Sequence, residues 1–244
     1  MQVDALAVRL RARAPLEAAD LGASLCRSAR RSVYLGYLVV AVPAMALALA
    51  TYEIAYWLPA LILWWIKPWL DRTILFVLAR SAFGQRTTLS DLWRARWQVW
   101  GRQLFLTLTW RRLSPWRSFT QPVYQLEGHS FFRIRKRVLQ IRGKRTGPAV
   151  LMTSAFSLAE TSLTVAVASL AVWFAPGDAT PNFTSLFTGE DSPLLALLYS
   201  VSYALVVLFL EPFYVSAGFA MYLNRRADLE AWDIEQEFRR AFAQ

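Results

Sequence analysis

The sequence contains very few of the residues on which disulfides, metal sites and catalytic triads depend. Cys26 and His129 are the only cysteine and histidine among 244 residues. One cysteine excludes an intramolecular disulfide, and the two residues together cannot supply a zinc or iron–sulfur centre within one chain. The nucleotide-binding loops GxxxxGKS/T and GxGxxG are absent as well. We therefore expect no catalytic residue, no metal site and no cofactor, and the chain is predicted not to be an enzyme.

Charged residues are also scarce, and most of them are basic. Only 18% of the residues are charged, 56% are hydrophobic, and 27 Lys and Arg against 17 Asp and Glu give a net charge of +10. A soluble domain has about 25% charged residues. This apolar excess indicates a membrane protein, because it is gathered in runs long enough to cross a bilayer.

Three apolar runs predict membrane-spanning helices directly. Residues 33–51 are 19 residues without a charge, and a helix of that length covers about 28 Å of a hydrocarbon core about 30 Å thick. Residues 149–175 and 193–223 are longer and can span with tilt.

A fourth apolar run is too short to span without help. Residues 54–66 end at Lys67 after 13 residues. The run reaches across the bilayer only if it extends to Leu70 with Lys67 snorkelling, or if the bilayer thins. A re-entrant hairpin is the alternative.

All of the basic residues fall on one side of these spans. Residues 1–32, 67–147 and 224–244 contain the 27 Lys and Arg, whereas the turn at Glu53 and the loop 176–192 contain acids only. By the positive-inside rule, both termini and the central segment are predicted to be cytoplasmic and the two acidic connections external. We expect the chain in the bacterial inner membrane.

These boundaries predict an all-α, polytopic helical membrane protein with about four transmembrane helices and interfacial amphipathic helices on the cytoplasmic side. It would comprise an N-terminal amphipathic helix, a transmembrane hairpin, a basic cytoplasmic or interfacial segment, a second transmembrane pair and a C-terminal helix. The respective ranges are residues 1–32, 33–70, 71–147, 148–223 and 224–244.

The basic central segment is expected to contact lipid. Phe131, Ile134, Val138 and Ile141 recur at helical spacing, with basic residues on the other faces, which predicts an amphipathic helix along the inner leaflet. Each basic residue near an anionic surface contributes about 1 kcal/mol of attraction. The predicted lipid contacts are Arg111, Arg112, Arg117, Arg133, Lys136 and Arg137. The alternative is that these charges only fix the topology.

The same composition could be mistaken for a nucleic-acid site. Trp and Arg interleave in residues 93–97, as they do where single-stranded nucleic acid stacks on a protein. Because the segment is held between membrane spans, anionic lipid explains the pattern better. No nucleic-acid partner is expected.

Two acids lie inside the predicted spans. Glu160 follows Gly147 by 13 positions and Glu211 precedes Asn224 by 13, so both lie about 20 Å from the cytoplasmic ends of antiparallel neighbours and could meet. An ionised acid at this depth costs at least about 2.5 kcal/mol unless it is partnered. The two are candidates for a proton or cation relay or a polar substrate site. The alternative is a neutral acid that hydrogen-bonds across helices and holds the bundle together.

The two ends of the chain share a short pattern. Residues 17–21 and 230–234 both read E-A-x-D followed by an apolar residue. The pattern indicates either a docking surface presented twice, with Glu230, Trp232 and Asp233 as the partner-binding residues, or two ordinary helices with acids placed early to suit the helix dipole.

Five stretches carry a resemblance to a known family: residues 70–72, 109–115, 211–215, 223–226 and 230–235. In these the chain resembles an uncharacterised family of bacterial inner-membrane proteins, often encoded with MoxR-type AAA ATPases, von Willebrand factor A-like and transglutaminase-like proteins. Residues 230–235 are also similar to the end of the membrane domain found with some glycerophosphodiester phosphodiesterases. The first resemblance implies a membrane partner in a MoxR-associated system, and neither implies a catalytic residue.

Two functions follow as expectations. The first is a non-enzymatic multi-pass scaffold or accessory subunit of a MoxR-associated system, with anionic inner-leaflet lipids and membrane or cytoplasmic proteins as partners. The second is a small transporter or lipid-handling protein that uses Glu160 and Glu211.

Overall fold

The computed structural model describes residues 13–101, 104–109, 111–128, 131–143, 146–174 and 193–230, and within these ranges all regular structure is helical. The expected all-α class is thereby confirmed for the described part of the chain. The predicted external loop, residues 176–192, lies outside the described residues, as do residues 1–12 and 231–244.

Three helices are long and apolar enough to cross a membrane. They are α2 (Arg30–Ala50), α8 (Thr146–Trp173) and α9 (Pro193–Glu230). Their most apolar windows have mean hydropathies of 2.1, 1.5 and 2.2, as expected of helices that cross a membrane. At 38 residues, α9 is about 57 Å long, so its length exceeds the thickness of a hydrocarbon core.

The fourth expected span forms a longer helix than the sequence indicated. Helix α3 (Leu58–Ala82) runs through Lys67 and Pro68 without a break and joins two segments that the predicted boundary at residue 70 separated. Its charges find partners inside the protein, which removes the reason for the helix to end. The Arg72 guanidinium, for example, donates to Thr107 Oγ1 and to the carbonyl of Gln98, each at 3.2 Å.

The N-terminal helix packs along the last one. Helix α1 (Pro15–Ser28) is separated from α2 by Ala29 alone. The backbones of α1 and α9 approach so closely that a Cβ on Gly22 would lie 2.3 Å from the Ser216 carbonyl oxygen. At the start of α1, the Arg13 amide donates to Asn224 Oδ1 at 3.1 Å, and Asn224 Nδ2 donates back to the Arg13 carbonyl at 2.9 Å. The apolar face of α1 is therefore covered by protein.

The central segment forms short helices that pack on this frame. They are α4 (Leu89–Arg94), a π-helical turn (Trp97–Gly101), α5 (Leu104–Leu108), α6 (Arg117–Leu126) and α7 (Phe131–Arg142). Helix α6 is buried from Arg117 to Val123 and meets α9 where a Cβ on Gly218 would lie 2.3 Å from Ser118 Oγ.

Helix α7 has the amphipathic pattern that the sequence predicted, but its apolar side is turned inward. Ile134, Val138 and Ile141 are buried in the protein core. Arg133 and Lys136 are exposed on the opposite side. The apolar stripe of α7 therefore packs on protein, because α6 and α9 offer it a surface.

Candidate functional site

Ionisable side chains from separate helices meet at one place in the bundle, which we call the charge cluster. Its members come from α3, α6, α8 and α9, which are far apart in the sequence. They are Lys67, Asp71, Arg117, Glu160 and Glu211.

Lys67 joins the two acids that the sequence singled out. Its Nζ lies 2.5 Å from Glu160 Oε2 and 2.8 Å from Glu211 Oε2. Because Lys67 is on α3, one ammonium group ties α3 to both α8 and α9. The two acids differ in access, since the Glu160 side chain is 15% exposed and that of Glu211 2%.

Arg117 completes the cluster from the start of α6. Its Nη2 lies 3.1 Å from Asp71 Oδ2 and 3.1 Å from Glu211 Oε1. Burial alone would lower the pKa of Arg117, but the carboxylates of Asp71 and Glu211 outweigh it and raise the pKa above its ordinary value. Arg117 is therefore a permanent cation that bridges α3 and α9 through α6.

The energetics of this arrangement favour keeping every partner in place. Moving a charge out of water costs several kcal/mol per ion in real proteins, roughly balanced by attraction and hydrogen bonds when the pairing is complete. Removing one member leaves the others buried without compensation. The cluster accordingly fixes how four helices pack. A ligand that displaces one of these ion pairs must itself form an equivalent contact with the charge that it frees.

A cavity of about 280 Å³ borders the charge cluster between α3, α8 and the chain that leads into α6. Lys67, Arg117 and Glu160 form its polar wall together with Arg112 and Ser114. The remaining lining residues are Trp64, Leu113, Pro115, Thr153, Phe156, Ser157 and Tyr214. The volume is just below the range of about 300–1,000 Å³ that is typical of small-molecule sites.

Arg112 lies at this wall and forms no ion pair with a described residue. Its guanidinium stacks on the Trp64 ring, 3.7 Å from the centroid, and among the described residues no carboxylate or hydrogen-bond acceptor is paired with it. Burial lowers the pKa of Arg112 to about 10, so the group is still charged at neutral pH. Ser114 Oγ is likewise buried and unpaired.

Of the other predicted lipid-contact residues, two contact protein side chains and two are exposed. Arg111 stacks over Tyr124, 3.5 Å from the ring centroid, and Arg137 is bound by Glu127 at 2.9 Å and by Glu230. Arg133 and Lys136 are exposed. Of the six arginines and lysines named from the sequence, only these last two present their charge freely outward, and lipid contact by the set stays a prediction.

The predicted docking residues are only partly described. Glu230 is the last described residue, and its carboxylate is held by Arg226 at 2.6 Å and by Arg137. Trp232 and Asp233 lie outside the described residues.

Sequence reasoning did not identify Lys67, Asp71 and Arg117 as partners of the two acids. Lys67 was expected to snorkel and Arg117 to face lipid. One signal was available: Lys67 and Asp71 are four positions apart in a helix that has no other charge before residue 72, which places two opposite charges on one face. Charges that share one face of an apolar helix indicate an interior cluster.

Comparisons of the chain with protein-family models, with curated proteins and with solved structures found no match.

Proposed function

We propose that the chain is a multi-pass bacterial inner-membrane protein that handles a polar or lipid-like ligand through the charge cluster and its cavity, without covalent catalysis. The observation that carries this proposal is the position of Lys67, shared between Glu160 and Glu211 at the wall of a cavity. Cavities with convergent polar groups are the default sites for ligands in helical bundles.

The geometry also supplies a way to couple ligand binding to helix movement. Glu160, the more accessible of the two acids, links α8 to Lys67, whereas the buried Glu211 links α9 to the same ammonium group. A ligand that competes for Lys67 weakens the tie to α8 before the tie to α9. Ligand binding would therefore shift the equilibrium between an arrangement with α8 tied to α3 and one in which α8 is released.

The proposal includes a fourth span and cytoplasmic termini. Helix α3 is 25 residues long, enough for about 37 Å. Its interior charges are paired, Lys67 with two acids and Asp71 with Arg117, which supports burial of this helix at membrane depth. The one-sided distribution of the 27 basic residues supports the orientation.

A functional test uses the two acids together. The double variant Glu160→Gln/Glu211→Gln keeps the size and hydrogen-bonding capacity of both side chains but removes their charge. Because the double variant also leaves Lys67 without its two carboxylates, its expression is adjusted until its amount in the membrane equals that of the wild type. At equal amounts, we expect it to fail to restore pH-dependent growth to a strain that lacks the gene. Glu17→Gln, in which an exposed acid of α1 is neutralised, is the matched control. Full restoration by the double variant would contradict the proposal.

A second proposal follows from the resemblance to the MoxR-associated family: a scaffold or accessory subunit of such a system. It is supported by the length of α9, whose last turns extend past Gly218 to Glu230, the first of the predicted docking residues. A pull-down from native membranes should recover a MoxR-type ATPase or a von Willebrand factor A-like protein with the wild-type chain and lose it with Trp232→Ala. Recovery of lipid alone counts against this role.

A further inference from the structure

We propose that the cavity beside the charge cluster is a binding site for a phosphate group, and that its natural source is an anionic phospholipid of the inner leaflet. This inference rests on the proposed function and names the ligand class of the same site. A free phosphate shares the chemistry, and the experiment below separates the two sources.

The first argument is the presence of donors without acceptors. Arg112 and Ser114 line the cavity, and the Arg112 Nε and the Ser114 hydroxyl are buried without a hydrogen-bond partner among the described residues. A guanidinium presents its N–H groups in a planar fork that matches two oxygens of a phosphate. Stacking on Trp64 holds that fork in place before the ligand arrives, so little side-chain entropy is lost on binding.

The second argument is the charge of the wall. Lys67, Arg112 and Arg117 line the cavity, and Glu160 is the acid among the lining residues. Asp71 and Glu211 lie behind this wall, where each contacts Arg117. The three cations are balanced by these three acids, so the attraction for an anion centres on Arg112, which has no carboxylate partner among the described residues.

The role of Glu160 follows from these positions. Its carboxylate stands 2.5 Å from Lys67 Nζ, in the place where a phosphate oxygen would contact the same ammonium group. Glu160 is thus an internal substitute for the ligand, and the phosphate must displace it. A phosphate that does so gains Lys67 as well as Arg112 and leaves Glu211 paired with Arg117.

The third argument concerns the source of the phosphate. Aromatic and aliphatic side chains frame the cavity, including Trp64, Phe156 and the 74% exposed Leu113. Beside it, the outer face of α8 exposes Leu151 and Leu158. Only 11% of the apolar window of α8 is buried in the protein, which leaves an apolar surface for acyl chains.

The cavity lies in the half of α8 that begins at Thr146. Thr153 and Ser157 line it from α8, about 10–16 Å from the start of that helix, and Glu160 lies about 21 Å from the start. Because α8 has 28 residues, it is about 42 Å long, whereas a hydrocarbon core is about 30 Å thick. The site therefore lies below the headgroup boundary, and a lipid phosphate must enter it from the nearer leaflet. With the proposed orientation, that leaflet is the inner one.

The central experiment measures lipid binding to the full chain. The protein is purified, stripped of lipid and titrated with phosphatidylglycerol or phosphatidylcholine in detergent, and occupancy is read by native mass spectrometry. We expect tighter binding of phosphatidylglycerol, and Arg112→Gln should weaken it about tenfold, the typical effect of losing a charge-assisted hydrogen bond. Arg112→Lys, which keeps the charge but loses the fork, should fall between the two.

Arg142→Gln is the matched control. Arg142 stacks on Trp116 at 3.8 Å from the ring centroid and also has a buried, unpaired Nε, but it does not line the cavity. This variant removes the same charge and the same kind of stacking contact. We expect its affinity for phosphatidylglycerol to be unchanged, and an equal loss in both variants would overturn the proposal.

Glu160→Gln provides the test of opposite sign. Removing the internal competitor should tighten phosphatidylglycerol binding several-fold, because Lys67 no longer has to be freed from a carboxylate. Unchanged or weaker binding in this variant, or equal affinity of the wild type for the zwitterionic phosphatidylcholine, would refute the site.

Competition by inorganic phosphate and by glycerol phosphate then distinguishes a lipid from a soluble phosphate as the ligand. If neither competes with phosphatidylglycerol at millimolar concentration, the acyl chains are required and the source is a lipid. If both compete and Arg112→Gln weakens them, the site stands with a soluble phosphate as its ligand. Binding of all three that is insensitive to Arg112→Gln contradicts it.

The outcomes also separate this inference from the proposed function. If Glu160→Gln binds phosphatidylglycerol more tightly and the double variant Glu160→Gln/Glu211→Gln grows fully, the phosphate site is supported and the proposed function is contradicted. If the double variant fails to grow and Glu160→Gln binds phosphatidylglycerol like the wild type, the proposed function is supported and the phosphate site is contradicted.

Discussion

At the scale of single residues, Lys67 has the most demanding position. It neutralises two carboxylates from different helices, Glu160 and Glu211, and its side chain is 8% exposed. Replacing it by Met keeps the length of the side chain but leaves both acids without their shared cation. Breaking a buried ion pair typically costs about 3–5 kcal/mol, because the remaining charge is uncompensated. Arg117 still contacts Glu211, so the loss should lie toward the lower end.

The measurement is the unfolding free energy of Lys67→Met in detergent. Lys136→Met is the control, since Lys136 is exposed on α7 and its loss should change stability by less than about 0.5 kcal/mol. Adding Glu160→Gln and Glu211→Gln to Lys67→Met should restore much of the stability, because no bare charge remains. A Lys67→Met variant as stable as the wild type would show that the cluster does not hold the helices together.

Two of the five residues in the charge cluster, Glu160 and Glu211, could be predicted from the sequence. Glu160 and Glu211 lie at equal offsets from the ends of adjacent apolar runs, so helix rise alone places them at one depth. Lys67 and Asp71 have a weaker signal, their spacing of four positions on α3, and Arg117 has none. The position of Arg117 depends on the packing of α6 against α9, which is a tertiary property that no local pattern reports.

At the scale of elements, the contact between α1 and α9 depends on a glycine. A Cβ on Gly22 would lie 2.3 Å from the Ser216 carbonyl oxygen and 2.7 Å from the Ala217 Cα. Both are backbone atoms, so the helices must separate to admit a methyl group. Overpacking of this kind costs about 1–3 kcal/mol. Gly22→Ala should therefore loosen α1 from α9, although alanine favours the helix itself.

Cys26 offers a direct readout of that loosening. It is the single cysteine of the chain and is fully buried, one turn of α1 from Gly22. Burial raises the pKa of its thiol to about 11, and only the thiolate reacts with maleimide or disulfide reagents. At pH 8 we expect very slow labelling of the wild type and faster labelling of Gly22→Ala. Gly147→Ala, where the added Cβ meets nothing within 4 Å, should label as slowly as the wild type, and equal rates in all three would contradict the close contact.

The helices could be predicted wherever their apolar runs are not interrupted by a charged residue. Expected runs at residues 33–51, 149–175 and 193–223 correspond to α2, α8 and α9 within a few residues at most ends. The run at residues 54–66 was cut short at Lys67 because hydropathy counts a charge as a cost whether or not it is paired. Helix α3 continues because its charges are paired, which the sequence does not display.

At the scale of the whole molecule, the basic residues fall into two groups. Those of the first group form ion pairs inside the protein, where Arg117, Arg137 and Arg226 each bind carboxylates. Those of the second group remain on the surface, as at Arg133 and Lys136. The net charge of +10 therefore includes cations that hold helices together, whereas the topology and the contact with anionic lipid that it suggested stay predictions.

The orientation of the whole molecule can be tested on either side of α3. Glu53 precedes this helix and Arg94 follows it, and both are exposed. If α3 crosses the membrane with the basic segment inside, a cysteine introduced as Glu53→Cys should react with a membrane-impermeant maleimide in intact cells. Arg94→Cys should react only after the cells are broken. The wild type, whose Cys26 is buried, sets the background. Equal labelling of the two variants in intact cells would mean that residues 54–82 turn back instead of crossing. Labelling of Arg94→Cys together with protection of Glu53→Cys would invert the proposed orientation, and the phosphate site would then face the outer leaflet.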